Sequence, residues 1–314
     1  MLEDILKEKR CFKLVCGAGN ENIEEVRNLV ALYSAAGCNF FDLSANCDVV
    51  AAAKEGIKIS GIEKDRYLCV SVGLKGDPHL NKAYINKKCI SCGQCENKCL
   101  EHAILNNKVE DKKCIGCGRC LSVCPIDAIE MRSCEKNLSE ILPPIIDLGI
   151  DCIEFHAISP DDCEIDKKWK EINRLYKGML SICIDRSNLS NKALFDRLNK
   201  MLEIRKPYTT IIQADGSPMS GGCDNYKTTL QAVATAEIVQ NQNFNTFLLL
   251  SGGTNSKTAE LARLCEIDYN GISIGSFARK IVKEYIERDD FLENKEVFNS
   301  SLEIAKQLVE NCLK

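Results

Sequence analysis

Short apolar runs of five to seven residues recur along the chain, and stretches with apolar residues at helical spacing follow them. We predict strands over eight of these runs, at 12–16, 39–43, 67–73, 152–156, 179–184, 209–214, 246–251 and 271–275. The stretches 22–37, 192–205 and 226–242 are examples of the amphipathic helices between them. Continuous apolar strands that alternate with helices favour a parallel sheet. Eight such units predict a closed (βα)8 barrel of the TIM type, with a doubly wound open sheet as the alternative.

The third of these units is interrupted. Its strand ends at Gly73, whereas its helix begins only near Lys136, and the segment between them contains two cysteine-rich runs. Strand-to-helix connections of such a barrel emerge at the carboxyl ends of the strands, where barrel active sites form. We therefore predict a barrel made of residues 1–75 and 134–314, with an inserted domain, 76–133, standing over its mouth.

The two runs, "KKCISCGQCENKCL" (87–100) and "KKCIGCGRCLSVCP" (112–125), have the same cysteine spacing. This spacing is typical of bacterial two-cluster ferredoxins, in which the fourth cysteine of each run ligates the other [4Fe–4S] cluster. Zinc ribbons and disulfide knots are the alternatives, but zinc sites usually take two close pairs of ligands. The pattern predicts a ferredoxin-like module with two clusters, one held by Cys89, Cys92, Cys95 and Cys124 and the other by Cys114, Cys117, Cys120 and Cys99.

Composition narrows the class of protein. The chain has 314 residues, of which 45% are hydrophobic and 27% charged, with a net charge of −4. These values indicate a globular protein without bulk attraction to nucleic acid or membrane. The first residues do not read as a signal peptide, and 20 cysteines without an export signal predict a cytoplasmic location. We expect most of the twelve cysteines outside the two runs to be buried as small apolar side chains.

The cysteine-rich segment is basic although the whole chain is acidic. Residues 79–132 contain nine Lys or Arg against six Asp or Glu, and a Lys pair precedes the first cysteine of each run. Nearby cations would raise the potential of an anionic cluster. A solvated face or a docking patch for an acidic redox partner explains the charge equally well.

Glycine-containing loops follow the last two predicted strands, as "SGGT" at 251–254 and "GSFA" at 275–278. TIM-type barrels often bind phosphate at these two loops, through exposed backbone N–H groups and a helix N-terminus. We therefore predict a phosphate site at Gly252, Gly253, Gly275 and Ser276. Ordinary turn glycine is the alternative explanation.

Other polar residues end predicted strands on the same face of the barrel, namely Asp42, His156, Asp185, Arg186, Gln213 and Asp215. We take His156 and Asp215 as candidate catalytic groups, because imidazole and carboxylate can exchange protons with a ligand. A structural histidine is the alternative, as is mutual pairing of Asp185 and Arg186. The loop 215–224 contains Gly221, Gly222 and Cys223 and suggests a lid or substrate loop.

Several segments together resemble one family. Residues 13–56, "GDPHLNKA" before the first cysteine run and "QADGSPMSGG" after the sixth strand are similar to the cyanobacterial light-dependent period (LdpA) family. The resemblance covers most of the chain. It implies two iron–sulfur clusters and a role in sensing the cellular redox state as an input to the circadian clock.

Two functions follow from these features. The first is an oxidoreductase or electron-transfer subunit that passes electrons through two [4Fe–4S] clusters to a phosphate-bearing cofactor or substrate, with FMN as the candidate, at the barrel mouth. The second is a non-catalytic redox sensor that signals the cluster state to a partner protein. A ferredoxin-like carrier fused to a vestigial barrel is a third possibility. Each requires a redox partner protein.

Overall fold

The computed structural model describes residues 1–74, 81–133, 137–159, 161–184, 189–216 and 223–313. In chain order its strands are β1 (Cys11–Val15), β2 (Phe40–Ser44), β3 (Tyr67–Val72), β4 (Asn81–Ile85), β5 (Ile104–Leu105), β6 (Lys108–Val109), β7 (Ile129–Ser133), β8 (Cys152–His156), β9 (Met179–Ile184), β10 (Thr210–Asp215), β11 (Phe247–Ser251) and β12 (Gly271–Ile274). Its α-helices are α1 (Leu2–Lys7), α2 (Ile23–Ala35), α3 (Cys47–Ser60), α4 (Gln94–Lys98), α5 (Leu138–Asp147), α6 (Asp162–Leu175), α7 (Asn191–Leu202), α8 (Tyr226–Gln240), α9 (Thr258–Leu264), α10 (Ser276–Ile286) and α11 (Lys295–Leu313).

Eight of these strands close into a barrel in the order β1-β12-β11-β10-β9-β8-β3-β2. The strand pairs of the barrel are all parallel, and helices lie between consecutive strands. The predicted TIM-type barrel is therefore confirmed, and the predicted strands agree with the observed ones to within one residue at each end. The helices α1 and α11 were not predicted.

Polar side chains define where several helices begin. Asn and Ser residues accept hydrogen bonds from backbone N–H groups in the first turns of five helices, which leaves fewer of those donors unsatisfied. These capping residues are Asn22, Asn46, Asn137, Ser190 and Asn225.

The inward-facing side chains of the barrel form layers of different polarity. Near the amino ends of the strands, apolar residues such as Phe40 and Ile211 pack with Leu6 of α1, which lies against this end of the barrel. One step further along the strands the inward residues are polar and buried, among them Lys13 and Glu154. The alternating outward residues, such as Phe12 and Leu14, belong to the main apolar core. The barrel is therefore sealed at one end and polar towards the other.

Residues 81–133 lie between β3 and α5 and contain two small antiparallel pairs of strands. β4 pairs with β7 over the full length of both strands, and β5 pairs with β6. The predicted domain boundaries, after residue 75 and after residue 133, border segments 75–80 and 134–136, which are outside the described residues. These boundaries therefore stay predictions.

Among the helices of the described residues, none combines the length and the apolar character needed to cross a bilayer.

Candidate functional site

The predicted phosphate-binding and catalytic residues line one pocket, which lies at the carboxyl ends of the barrel strands and has a cavity volume of about 90 Å³. The six residues are His156, Asp215, Gly252, Gly253, Gly275 and Ser276. Asp42 and Gln213 line it as well. Side chains from strands far apart in the sequence meet here because consecutive parallel strands all end at the same rim of the barrel. Asp185, Arg186, Gly221 and Gly222 lie outside the described residues, and Cys223 is exposed.

Two loops at the rim of this pocket have the backbone geometry of an anion site. Gly252 and Gly253, after β11, have φ angles of +67° and +78°. Gly275 is the N-cap of α10, and no side chain in the described part of the chain caps that helix. Its first N–H groups and its dipole therefore favour an anion at the pocket rim. Gly252 also has a steric role, since a β-carbon there would come within 2.1 Å of Asp215 Oδ1.

Among the described residues, two buried donors along the pocket wall have no hydrogen-bond partner. Arg279, in the first turns of α10, is only 7% exposed, and its Nε has no hydrogen-bond partner within the described segments. Within the same segments, the hydroxyl of Ser273 also has none. Unsatisfied buried donors are costly and rare in proteins. These two indicate a polar ligand with acceptor atoms.

The floor of the pocket contains a buried ionic network around Lys13. Its ammonium group lies 2.5 Å from Glu154 Oε2 and 3.1 Å from Asp42 Oδ2, and donates to Gln213 Oε1 at 3.0 Å. Glu154 also accepts hydrogen bonds from Ser181 and from Gln213 Nε2. Sequence analysis missed Lys13 and Glu154, although a charged residue at the centre of each apolar strand, "CFKLV" and "CIEFH", was a visible signal.

The network sets the protonation of its members. Burial alone would lower the pKa of Lys13, but attraction to Asp42 and Glu154 raises that pKa well above its usual value. Burial tends to raise the pKa of Glu154, and the Lys13 ammonium together with His156 outweighs burial, so the net shift is downwards. The pKa of Asp42 is raised by burial, against the opposing effect of Lys13. The floor thus contains an ionised Glu154 held by a charged Lys13.

His156 stands directly above this network. Its Nε2 is 3.3 Å from Glu154 Oε1, and Cys183 is its neighbour on the adjacent strand β9. The donor atoms of Glu154, His156 and Cys183 lie within 4.8 Å of one another, a set of O, N and S atoms that could hold a metal ion. Glu154 already has the Lys13 ammonium as its cation. The arrangement is therefore better suited to orienting His156 for proton exchange with a ligand than to holding a metal ion.

The eight cysteines of the two runs line two further cavities. One is bordered by Cys89, Cys92, Cys95 and Cys124. The other is bordered by Cys99, Cys114, Cys117 and Cys120. Each cavity thus brings together three cysteines of one run and the fourth cysteine of the other. Apolar residues such as Ile129 fill the space between the two sets of cysteines.

The two runs also share a backbone conformation at an offset of 25 residues. Left-handed φ angles occur at three equivalent pairs of positions: Ser91 (+57°) and Gly116 (+73°), Gly93 (+74°) and Gly118 (+69°), and His102 (+47°) and Asp127 (+50°). Leu100 occupies the position equivalent to Pro125 in the second run. The turn after Cys99 therefore has the same conformation as the turn after Cys124, although it lacks the proline. The segment is an internal repeat in structure as well as in spacing.

Backbone N–H groups already donate to several of these sulfur atoms. The N–H of Ala103 bonds to Cys99 Sγ at 3.3 Å, and the equivalent N–H of Ala128 bonds to Cys124 Sγ at 3.2 Å. The N–H of Ala83 bonds to Cys114 Sγ at 3.4 Å. Such bonds stabilise thiolates and help to set the potential of iron–sulfur clusters. The four-cysteine sets, their cavities and these bonds fit iron–sulfur clusters.

The cysteine-rich segment packs directly on the barrel mouth. Ile115 lines both the second cysteine cavity and the mouth pocket. Lys82 donates to the carbonyl oxygens of Gly19 in the β1–α2 loop and of Cys114 at 2.6 Å each. On the other side, Arg279 and Lys283 of α10 pair with Glu101. The predicted neighbourhood of cysteine runs and barrel mouth is therefore present in the fold.

Comparison with known proteins agrees with this architecture. Residues 89–135 match the LdpA Fe-S cluster-binding domain, and residues 144–313 match the light dependent period A C-terminal domain. Light dependent period A of Synechococcus elongatus is 30% identical over 302 residues, which cover 90% of this chain and 84% of that protein.

Solved structures of distant proteins share the barrel. The YdjI aldolase from Escherichia coli K12 has a similar structure, with a TM-score of 0.52 at 10% sequence identity, and the match covers 99% of this chain and 94% of the aldolase chain. Tryptophan synthase from M. tuberculosis, in its open form, has a TM-score of 0.51 at 10% sequence identity, and the match covers 99% of this chain and 96% of the synthase chain. At such identities the likeness concerns the fold alone. The matches along the sequence go further, and they show that the chain belongs to the LdpA family and contains that family's iron–sulfur cluster-binding domain.

Proposed function

We propose that this protein passes electrons through two [4Fe–4S] clusters to a phosphate-bearing ligand at the barrel mouth. The observation that carries the proposal is Ile115, a residue that lines both the second cysteine cavity and the mouth pocket. An electron held at the second set of cysteines would therefore have a short path to the pocket. A cluster at each set would accept and release one electron at a time.

The chain's own residues would bind and protonate the ligand. The loops at Gly252–Gly253 and Gly275–Ser276 would hold its phosphate, while His156 and Asp215 would exchange protons with its reacting end. FMN is the candidate cofactor, because a flavin couples one-electron donors to two-electron chemistry.

A reduced partner protein would deliver the electrons at the first set of cysteines. Cys92 is exposed there, with Ile90 61% exposed and Ile126 36% exposed beside it. Lys87 and Lys88 are exposed next to this apolar patch. A rim of cations around an apolar centre suits an acidic electron-transfer protein.

The second candidate is a redox sensor, favoured by the family to which the chain belongs. In this case the cluster-binding segment would report its oxidation state to a partner protein, and the barrel would not act on a ligand. The contacts of Glu101 with Arg279 and Lys283 give such a signal a route between the segment and the barrel.

Anaerobically purified protein tests the proposal. We expect about eight iron and eight sulfide atoms per chain, and a phosphate-bearing cofactor in the supernatant after acid denaturation, recognised as flavin by its visible spectrum. Iron and sulfide without any released cofactor, together with a partner that binds only one oxidation state, would favour the sensor instead.

The phosphate site has its own matched pair of variants. Gly253→Asp places a carboxylate at the rim, whereas Gly253→Asn has nearly the same shape without the charge, and both residues tolerate positive φ better than most others. We expect the Asp variant to lose binding of inorganic phosphate, measured by calorimetry, and the Asn variant to retain most of it. Equal affinities in the two variants would place the anion elsewhere.

A further inference from the structure

Arg279 lies between the mouth pocket and the cysteine-rich segment. Its side chain lines the pocket, and its Nη1 is 3.3 Å from Glu101 Oε2 and 3.9 Å from Glu25 Oε1. The Nε on the same guanidinium group is buried and has no partner in the part of the chain that the structure describes. Since a guanidinium has five N–H donors in a plane, Arg279 can keep Glu101 and bind a second anion at the same time.

Glu101 connects this arginine to the second set of cysteines. It is two residues after Cys99 and borders the cavity of Cys99, Cys114, Cys117 and Cys120. Lys283, one turn further along α10, is 3.7 Å from the same carboxylate and also donates to the carbonyl oxygen of Leu100. Lys283 does not line the mouth pocket. Of the two cations paired with Glu101, Arg279 is therefore the one that also lines the mouth pocket.

We propose that Arg279 binds the phosphate of the mouth ligand and, through its ion pair with Glu101, makes the affinity for that phosphate depend on the oxidation state of the cluster held by Cys99, Cys114, Cys117 and Cys120. This inference rests on the proposed function and adds to it a coupling between ligand and electron. Reduction adds one negative charge to that cluster, and phosphate brings negative charge to Arg279, which then compensates Glu101 less. The two negative charges disfavour each other, so phosphate binds more weakly to the reduced protein.

Linkage makes this coupling measurable from either side. If reduction weakens phosphate binding by a given factor, phosphate must make reduction harder by the same factor. A tenfold difference in Kd corresponds to a potential lower by 59 mV for a one-electron couple. For an ion pair within hydrogen-bond distance we expect a difference of about five- to tenfold, at the lower end of known couplings.

The experiment uses the anaerobic holoprotein with inorganic phosphate as the probe. Its Kd is measured in the oxidised and in the dithionite-reduced protein, and the midpoint potential is measured with and without phosphate. Arg279→Gln should lose phosphate binding in both states. Glu101→Gln should still bind phosphate but with nearly equal Kd values in the two states. Lys283→Gln is the control, because it removes the other cation at Glu101 and should keep both the affinity and the coupling. Iron content verifies cluster loading in each variant.

The outcomes separate this inference from the proposed function. Equal phosphate affinities in the two oxidation states of the unmodified protein would overturn the coupling and leave the anion site intact. A Glu101→Gln variant with full coupling, or a Lys283→Gln variant that loses phosphate as Arg279→Gln does, would also overturn it. Absence of phosphate binding in both states of the unmodified protein would overturn the anion site itself.

Discussion

Replacement of Lys13 by methionine is the sharpest perturbation of the barrel floor. Methionine keeps most of the volume and apolar stem of lysine but removes the ammonium group. Glu154 and Asp42, which are 1% and 2% exposed, would then be buried without their cation. An uncompensated buried carboxylate is among the few defects that cost several kcal/mol in a single substitution.

The size of the effect follows from the distances. At an effective dielectric constant of about 20, attraction at 2.5 Å and at 3.1 Å amounts to about 7 and about 5 kcal/mol. The cost of removing the three charges from water offsets most of this gain, so we expect a net loss of about 3–5 kcal/mol in the free energy of unfolding. For 314 residues that loss lowers Tm by roughly 5–8 °C.

Thermal unfolding of the anaerobic protein, followed by circular dichroism, measures this loss. Lys200→Met is the control, because Lys200 pairs with Asp166 at the surface and is 57% exposed, so its removal should lower Tm far less than Lys13→Met does. Adding Glu154→Gln to Lys13→Met should restore part of the stability, since it removes the stranded charge. A decrease in Tm no larger than that of the control would refute the ionic network as a stabilising element.

The dependence of stability on pH gives an independent test of the ionic network. In the unmodified protein the lowered pKa of Glu154 gives a stabilisation that is present above its unfolded pKa of about 4.3 and is lost as the pH falls further. Without Lys13, burial dominates and raises the pKa of this carboxyl above the unfolded value. The variant then gains stability by taking up a proton, so its deficit should be smaller at pH 6 than at pH 8.

Two other predictions concern the cysteines and the rim glycine. Cys117→Ala should reduce the iron content from about eight to about four atoms per chain, since it opens only the second set of cysteines; complete loss of iron would mean that the two sets do not bind independently. Gly252→Ala should lower stability by more than Gly61→Ala, because both glycines have positive φ but only the β-carbon at Gly252 would meet Asp215. The difference in Tm between the two variants measures the cost of this contact, and equal Tm values would contradict a clash between the β-carbon at position 252 and Asp215.

The barrel could be predicted from the sequence because the pattern that indicates each strand and helix is local and is repeated along the chain. Each strand is a short apolar run, each helix follows at helical spacing, and the count of eight selects a closed barrel. The terminal helices gave no such signal. α1 is only six residues long, and its role becomes visible only where Leu2, Ile5 and Leu6 meet the amino ends of the strands.

The residues of the candidate site also fall into those that local sequence patterns revealed and those that only the structure revealed. His156, Asp215 and the glycines at 252, 253 and 275 were found because they directly follow apolar strands, and strand ends meet at one rim. Lys13 and Glu154 were missed because they lie inside strands, where the apolar neighbours hide the alternation between outward and inward faces. Arg279 was missed because its significance depends on Glu101, which is 178 residues away in the chain.

The sequence by itself determined the alternation of strands and helices, the two equivalent cysteine runs and the place where they interrupt the barrel, since each of these depends on the spacing of neighbouring residues. Only the tertiary structure decided that the second set of cysteines and the mouth pocket share Ile115 as a lining residue, and that Lys13 pairs with Asp42 and Glu154 at the floor of that pocket. Both arrangements depend on distances between residues remote in the chain, and such distances are fixed by closure of the barrel rather than by any local pattern.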